Sequence, residues 1–176
     1  MQNQLLDIDY LDRKVLGAHH SMCLSVQKFD DISYSWWDPE GPFKPLHMLN
    51  PIRTHFIKSR VSLNNKSLID VGCGGGILCE NLVSNNTYIK GIDMSENAIE
   101  VAKTHQTLNS LNIDYQKISL ENLIKESNKR YDILTCLELV EHVPNPEKLI
   151  EDCIKITKNK SDLFFSTLNR NLVSYL

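Results

Sequence analysis

Residues 67–93 read "SLIDVGCGGGILCENLVSNNTYIKGID". An apolar β-type run ends in a cluster of glycines, a short stretch of helical periodicity follows, and a second β-type run ends in an acid. The pattern predicts a strand over "SLIDVG", a helix over "ILCENLVSN" and a strand over "YIKGID". The alternation continues downstream. It predicts a helix over "SENAIEVAKTHQTLNSL" with Ser95 as its cap, a strand over "IDYQKI" and a helix over "ENLIKESNK". A strand over "YDILTCL", a helix over "NPEKLIEDCIKITK" and a strand over "DLFFSTL" complete it. Strands and helices in turn imply an α/β fold, with right-handed crossovers and a parallel sheet covered by helices on both faces. Ligands of such sheets sit at the carboxyl ends of strands, near the topological switch. In this chain those ends carry Gly72, Asp93 and Glu138.

Upstream, residues 1–60 read as a mostly helical cap segment and residues 61–176 as the α/β core. "WWDPEGPFKPLHMLNP" (36–51) holds four prolines and a glycine, so its centre is expected to be loop. "MLNPIRTHFIKSRV" (48–61) then predicts a helix with Asn50 as cap and Pro51 in the first turn.

The bulk numbers narrow the function classes. The 176 residues carry a formal net charge of −3 and 41% hydrophobic residues, with a pI near 6.1. One soluble domain fits this length, and no basic field exists to attract nucleic acid. Five scattered cysteines without a C-x-x-C pair fit reduced thiols in a cytoplasmic setting better than disulfides or zinc. No run approaches the roughly 20 apolar residues of a membrane span, and the acidic N-terminus does not resemble a signal peptide. Contact with a membrane is expected only at its surface.

"DVGCGGG" (70–76) places Gly72, Gly74 and Gly76 as G-x-G-x-G between a strand and a helix. A tight turn and close approach of the backbone to a ligand both call for glycine. A dinucleotide site would need G-x-G-x-x-G, and Ile77 occupies the last position of that pattern. Asp93, about 20 residues on, suits the hydroxyls of a ribose, although an acid in that place also serves as a helix cap. Loop and acid together describe a pocket for a nucleoside without pyrophosphate, with S-adenosylmethionine as the leading candidate.

"TCLELVEHV" (135–143) sets Glu138, Glu141 and His142 within five positions. If helical, the spacings i, i+3 and i+4 put them on one face. A metal site, a general base and a solvated helix start all remain open on this pattern.

"WWDPEGPFKPLHMLNPIR", "DVGCGGGILCE", "GIDMS", "CLELVEHVPNP" and "FFSTLNR" together resemble the ubiquinone-biosynthesis O-methyltransferase family, in order from about Phe29 to Arg170. The resemblance implies a Rossmann-like S-adenosylmethionine-dependent methyltransferase sheet. It also implies O-methylation of a polyprenylated catechol, a demethylubiquinol-type intermediate. By that resemblance Arg53, Asp70, Gly72, Gly74, Gly76, Asp93, Met94 and Leu137 belong to the cofactor pocket. Glu138, Glu141 and His142 match its catalytic positions and its magnesium ligands. Peripheral contact with lipid, on the inner membrane of a bacterium, is implied for the full-length family. The ion would acidify the catechol hydroxyls; a base would remove the proton directly.

Trp36 and Trp37 read either as a cap on the ring pocket or as core anchors, and His47 and Asn50 have no assignment. His19, His20, His55 and His105 read as surface or packing residues, and the lysines of "KITKNK" as a solvated helix end. Relatives carry a further helix and strands after "STLNRN", and "NKSD" stands where they have a glycine pair. The sequence therefore reads as a shortened member of the family, with strand five an exposed edge and activity weakened or lost. A methyltransferase for another small molecule and a cofactor-binding remnant are the alternatives.

Overall fold

The computed structural model describes residues 35–167. Helix α1 (Lys44–Arg60) precedes β1 (Ser67–Val71), α2 (Ile77–Asn81), β2 (Tyr88–Asp93), α3 (Glu96–Leu108), β3 (Asp114–Lys117), α4 (Leu120–Glu126) and β4 (Tyr131–Leu137). A 3-10 turn (Val140–His142), α5 (Pro146–Lys155) and β5 (Thr157–Ser166) follow. All pairings of the five-stranded sheet are parallel, in the order β3-β2-β1-β4-β5. The expected α/β class is therefore found. The order reverses between β1 and β4, which opens a crevice at their carboxyl ends.

The strands read as continuous apolar runs because helices cover both faces. On one face Leu68, Ile89 and Ile133 pack with Cys79, Leu82, Ile99 and Ala102; on the other Ile69, Ile92 and Leu134 pack with Leu120, Leu123, Cys153 and Ile156. Leu68, Ile69 and Leu134 are fully buried, a burial that contributes about 1.5–3 kcal/mol per side chain. Cys73, Cys79, Cys136 and Cys153 are free thiols, as expected; Cys23 lies outside the described residues.

Several local expectations are corrected. Helix α1 begins at Lys44, with Pro45 in its first turn and Pro51 inside it. Asn50 is not its cap; the buried side chain donates through Nδ2 to the Ile77 carbonyl, 3.2 Å away. Strand β5 begins at Thr157, directly after α5, so Lys158 and Lys160 belong to a strand rather than a helix end. Between the pairs Tyr131↔Thr157 and Ile133↔Asp162 its register shifts, with Lys160 at φ 64°. A bulge of this kind hides the strand from any pattern of period two. Among the described residues no helix is long and apolar enough to cross a membrane.

Candidate active site

A cavity of about 520 Å³ lies at the carboxyl ends of β1, β2 and β4. Its floor is the Gly72–Gly74 part of the Gly72–Gly76 turn. Gly72, Gly74 and Gly76 all have positive φ, a conformation that costs other residues about 1–2 kcal/mol. The amides of Gly72 and Cys73 donate to the Ile92 carbonyl at 2.9 and 3.0 Å, tying the turn to β2.

Asp93 ends β2 beside this floor. Its Oδ2 accepts from the Gly74 amide at 2.9 Å and its Oδ1 from the Ser95 amide at 2.8 Å. Ser95 caps α3 as expected, with Oγ accepting from the Ala98 amide. Two backbone amides hold the carboxylate in place beside the turn.

Beneath the floor Asp70 is buried. Burial pushes its carboxyl up to about 6, while bonds from Thr135 and Cys79 oppose the rise. Thr135 Oγ1 donates at 2.6 Å and Cys79 Sγ at 3.4 Å.

The remaining wall comes from α1 and the end of β4. Arg53 donates through a terminal nitrogen to Glu138 Oε1 at 2.8 Å, and Ser166 Oγ donates to the same oxygen at 2.8 Å. Glu138 Oε2 is buried at the cavity without a hydrogen-bond partner. The residue sits at φ 55°, and its amide donates to the Ser166 carbonyl. Strain of this sort marks positions where a side chain is aimed rather than merely accommodated.

The α-helical premise for the glutamate–histidine cluster fails. Strand β4 runs to Leu137, Glu138 turns left-handed, and Val140–His142 form a single 3-10 turn. Glu138, Glu141 and His142 still line the same cavity, but they do not share a helix face. Glu141 Oε2 accepts from Thr167 Oγ1 at 2.9 Å. Among the described residues no group of three or more His, Cys, Asp or Glu side chains could hold a metal ion. The arrangement does not fit the three-ligand magnesium site.

All eight residues assigned to the cofactor pocket are adjacent to this turn or cavity. Arg53, Asp70, Gly72, Gly74, Asp93, Met94 and Leu137 line it, and Gly76 closes the turn. Sequence reasoning gave the glycines to a ligand. In the structure a Cβ on Gly74 or Gly75 would come under 3.0 Å from the Trp36 ring, and one on Gly76 under 3.0 Å from the Tyr115 hydroxyl. Trp36 is a buried anchor packed on Phe43, with ring centroids 3.9 Å apart, and it also lines the cavity. The core-anchor reading of this residue therefore holds. His47 Nε2 contacts the Trp36 carbonyl at 2.9 Å. Asn50 and His47 thus secure the segment that covers the turn, a role no local signal in the sequence reveals.

Comparison with known proteins agrees with this geometry. The chain is 47% identical over 151 residues to a ubiquinone biosynthesis O-methyltransferase of Coxiella burnetii (strain Dugway 5J108-111), covering 86% of this chain and 64% of that protein. Against the protein of the same name from Saccharophagus degradans identity is 46%, with the same coverage. The chain thus spans just under two thirds of the length of these relatives, and the motif resemblance extends over most of it. Among solved structures it is similar to magnesium protoporphyrin IX methyltransferase from Synechocystis PCC 6803, solved with bound SAM. The TM-score is 0.64 at 16% identity, over 89% of this chain and 75% of that one. A putative S-adenosyl-L-methionine-dependent methyltransferase from Methanococcus maripaludis gives 0.62 at 19% identity, over 85% and 65%. At such identities the likeness establishes the Rossmann-like fold alone. A family model described as a methyltransferase domain matches residues 52–174, well over half of the sequence, and the chain belongs to that methyltransferase domain family.

Proposed function

We propose that the cavity binds S-adenosylmethionine and serves O-methylation of a catechol-type ring carrying a polyprenyl chain, the step named in its relatives as ubiquinone biosynthesis. One observation carries the reading: the glycine turn and the aimed Asp93 carboxylate face the same 520 Å³ space as Glu138, Glu141 and His142. That volume is within the usual range for small-molecule sites, roughly 300–1,000 Å³. The cofactor, when bound, supplies an electrophilic methyl group on a sulfonium.

The chain's own residues do the rest. Asp93 accepts hydrogen bonds from a ribose. Arg53 keeps guanidinium donors beyond the one given to Glu138, and these suit a ligand carboxylate. Met94 and Leu137 supply apolar contact beside the turn. A phenolic hydroxyl, with a pKa near 10 by analogy with tyrosine, is mostly protonated at neutral pH. Its proton has three receivers in the wall: the unbonded Glu138 Oε2, Glu141 and His142. A positioned base contributes about 10²–10⁴-fold. A tailed substrate is delivered from a membrane, so peripheral contact with the cytoplasmic leaflet is part of the same reading.

Calorimetry with S-adenosylmethionine, followed by methyl transfer to short-chain catechol analogues, tests it. Absence of cofactor binding overturns the reading. Binding without transfer leaves a cofactor-binding chain, and transfer confined to acceptors without a catechol points to another small molecule.

A further inference from the structure

The cofactor turn is gripped from outside the α/β core by a chain of contacts that the reaction itself does not use. Trp37 Nε1–H donates to the Gly75 carbonyl at 3.0 Å. The indole lies flat on the His105 ring, with centroids 3.4 Å apart and 4° between planes. His105 Nδ1 is 2.9 Å from both oxygens of Glu80. The Glu80 side chain is only 6% exposed, so its charge needs a partner; burial raises its pKa and the His105 contact opposes the rise. Glu80 and His105 come from α2 and α3, the helices that flank β2 in sequence. Gly75 adjoins Gly74, whose amide aims Asp93.

From this we infer that Trp37, braced by His105 and Glu80, is a positioning residue for the cofactor turn. It fixes the Gly75 carbonyl and thereby holds the Gly74 amide on Asp93 before any ligand arrives. The inference rests on the cofactor reading above for its consequence, but its geometry stands apart from it. His105 is thus neither a plain surface nor a plain packing residue. A rigid turn costs the ligand less ordering on binding, which is the advantage of such a brace.

Amide hydrogen exchange over Cys73–Gly76, measured on the whole chain without ligand, reads the brace directly. Trp37→Ala and His105→Ala should each speed exchange of the Gly74–Gly76 amides about five-fold, the size of one lost net hydrogen bond. Trp37→Phe removes the Nε1–H donor and the pyrrole ring but leaves an aromatic ring facing His105, so it should speed exchange about as much as Trp37→Ala. The Trp37→Ala/His105→Ala double variant should be no faster than either single, because both act through one path. In calorimetry the same variants should weaken S-adenosylmethionine by a similar factor, and in turnover the loss should fall on KM for the cofactor more than on kcat. Unchanged exchange in all variants, or fully additive effects, overturns the inference. If the parent shows no binding heat while the variants exchange faster, the cofactor reading fails and the brace is upheld.

Discussion

The two ends of the sheet treat charge in opposite ways. At the amino ends of the strands Asp114 and Asp132 are both answered. Lys90 Nζ meets Asp114 at 2.9 Å and Tyr88 donates to the same carboxylate. Asp132 accepts from the Ser67 amide and hydroxyl and from Lys158. Burial alone would raise Asp132, yet these bonds hold it well below the usual carboxylate range, and the same contest lowers Asp114. At the carboxyl ends the balance differs: burial pushes Asp70 up despite bonds from Thr135 and Cys79, and Glu138 Oε2 has no partner. Satisfied charge belongs to the scaffold. Charge held short of satisfaction lies at the proposed site, where a ligand would complete it.

Breaking the carboxyl end at its most aimed group should have the largest effect. Asp93→Ala removes two charge-assisted bonds, each worth about 1.5–3 kcal/mol, and orphans two amides. Cofactor affinity by calorimetry should fall at least about 30-fold. Retained affinity would separate Asp93 from the ligand.

Gly74→Ala tests the floor rather than the acid. The added methyl would press on the Trp36 ring at a residue with φ 51°. Overpacking costs about 1–3 kcal/mol and the left-handed backbone about 1–2 kcal/mol. A loss of roughly 2–5 kcal/mol in urea unfolding is expected.

Asp70 and Asp132 should pull stability in opposite directions with pH. A raised native pKa penalises folding as pH climbs from about 4 to 7; a lowered one weakens folding as pH falls below the unfolded value near 3.8. Asp70→Asn should therefore gain on the parent by up to about 3 kcal/mol between pH 4 and pH 7, since each pH unit of displacement is worth about 1.4 kcal/mol. Urea midpoints across that range measure it, and parallel curves would place Asp70 among satisfied groups.

The smallest effect belongs to the amino end. Asp114→Ala leaves Lys90, only 8% exposed at its side chain, without its carboxylate. Because Asp114 is itself nearly half exposed, the cost should be about 1–2 kcal/mol of stability, with cofactor affinity unchanged. A change in affinity would erase the distinction between the ends.

The division between scaffold and site also governs what the sequence reveals. β2 and β4 match their expected runs residue for residue, "YIKGID" and "YDILTCL". Their apolar continuity comes from burial on both faces, which leaves a local trace. The Gly72 turn and Asp93 are equally legible, because a sharp turn and an aimed acid each constrain residue type at their own positions. What escaped depends on partners distant in sequence. Glu138 turns left-handed while its side chain is held by Arg53 and Ser166, so a helical spacing rule misplaces its neighbours. Asn50 looks like a cap until Ile77, 27 residues on, takes its donor. Lys158 reads as part of a helix end until β5 places it in a strand, against Asp132. His105 shows no sign of purpose without Trp37 lying against it.

The indole of Trp36 over Gly74 and Gly75 carries a practical corollary. An engineer who grafts this turn onto another Rossmann scaffold should transplant both tryptophans with it, since bare glycines would lose the plate that shapes them. A library that randomises the tandem aromatics should likewise randomise Gly75, because larger residues become admissible there only when the plate shrinks.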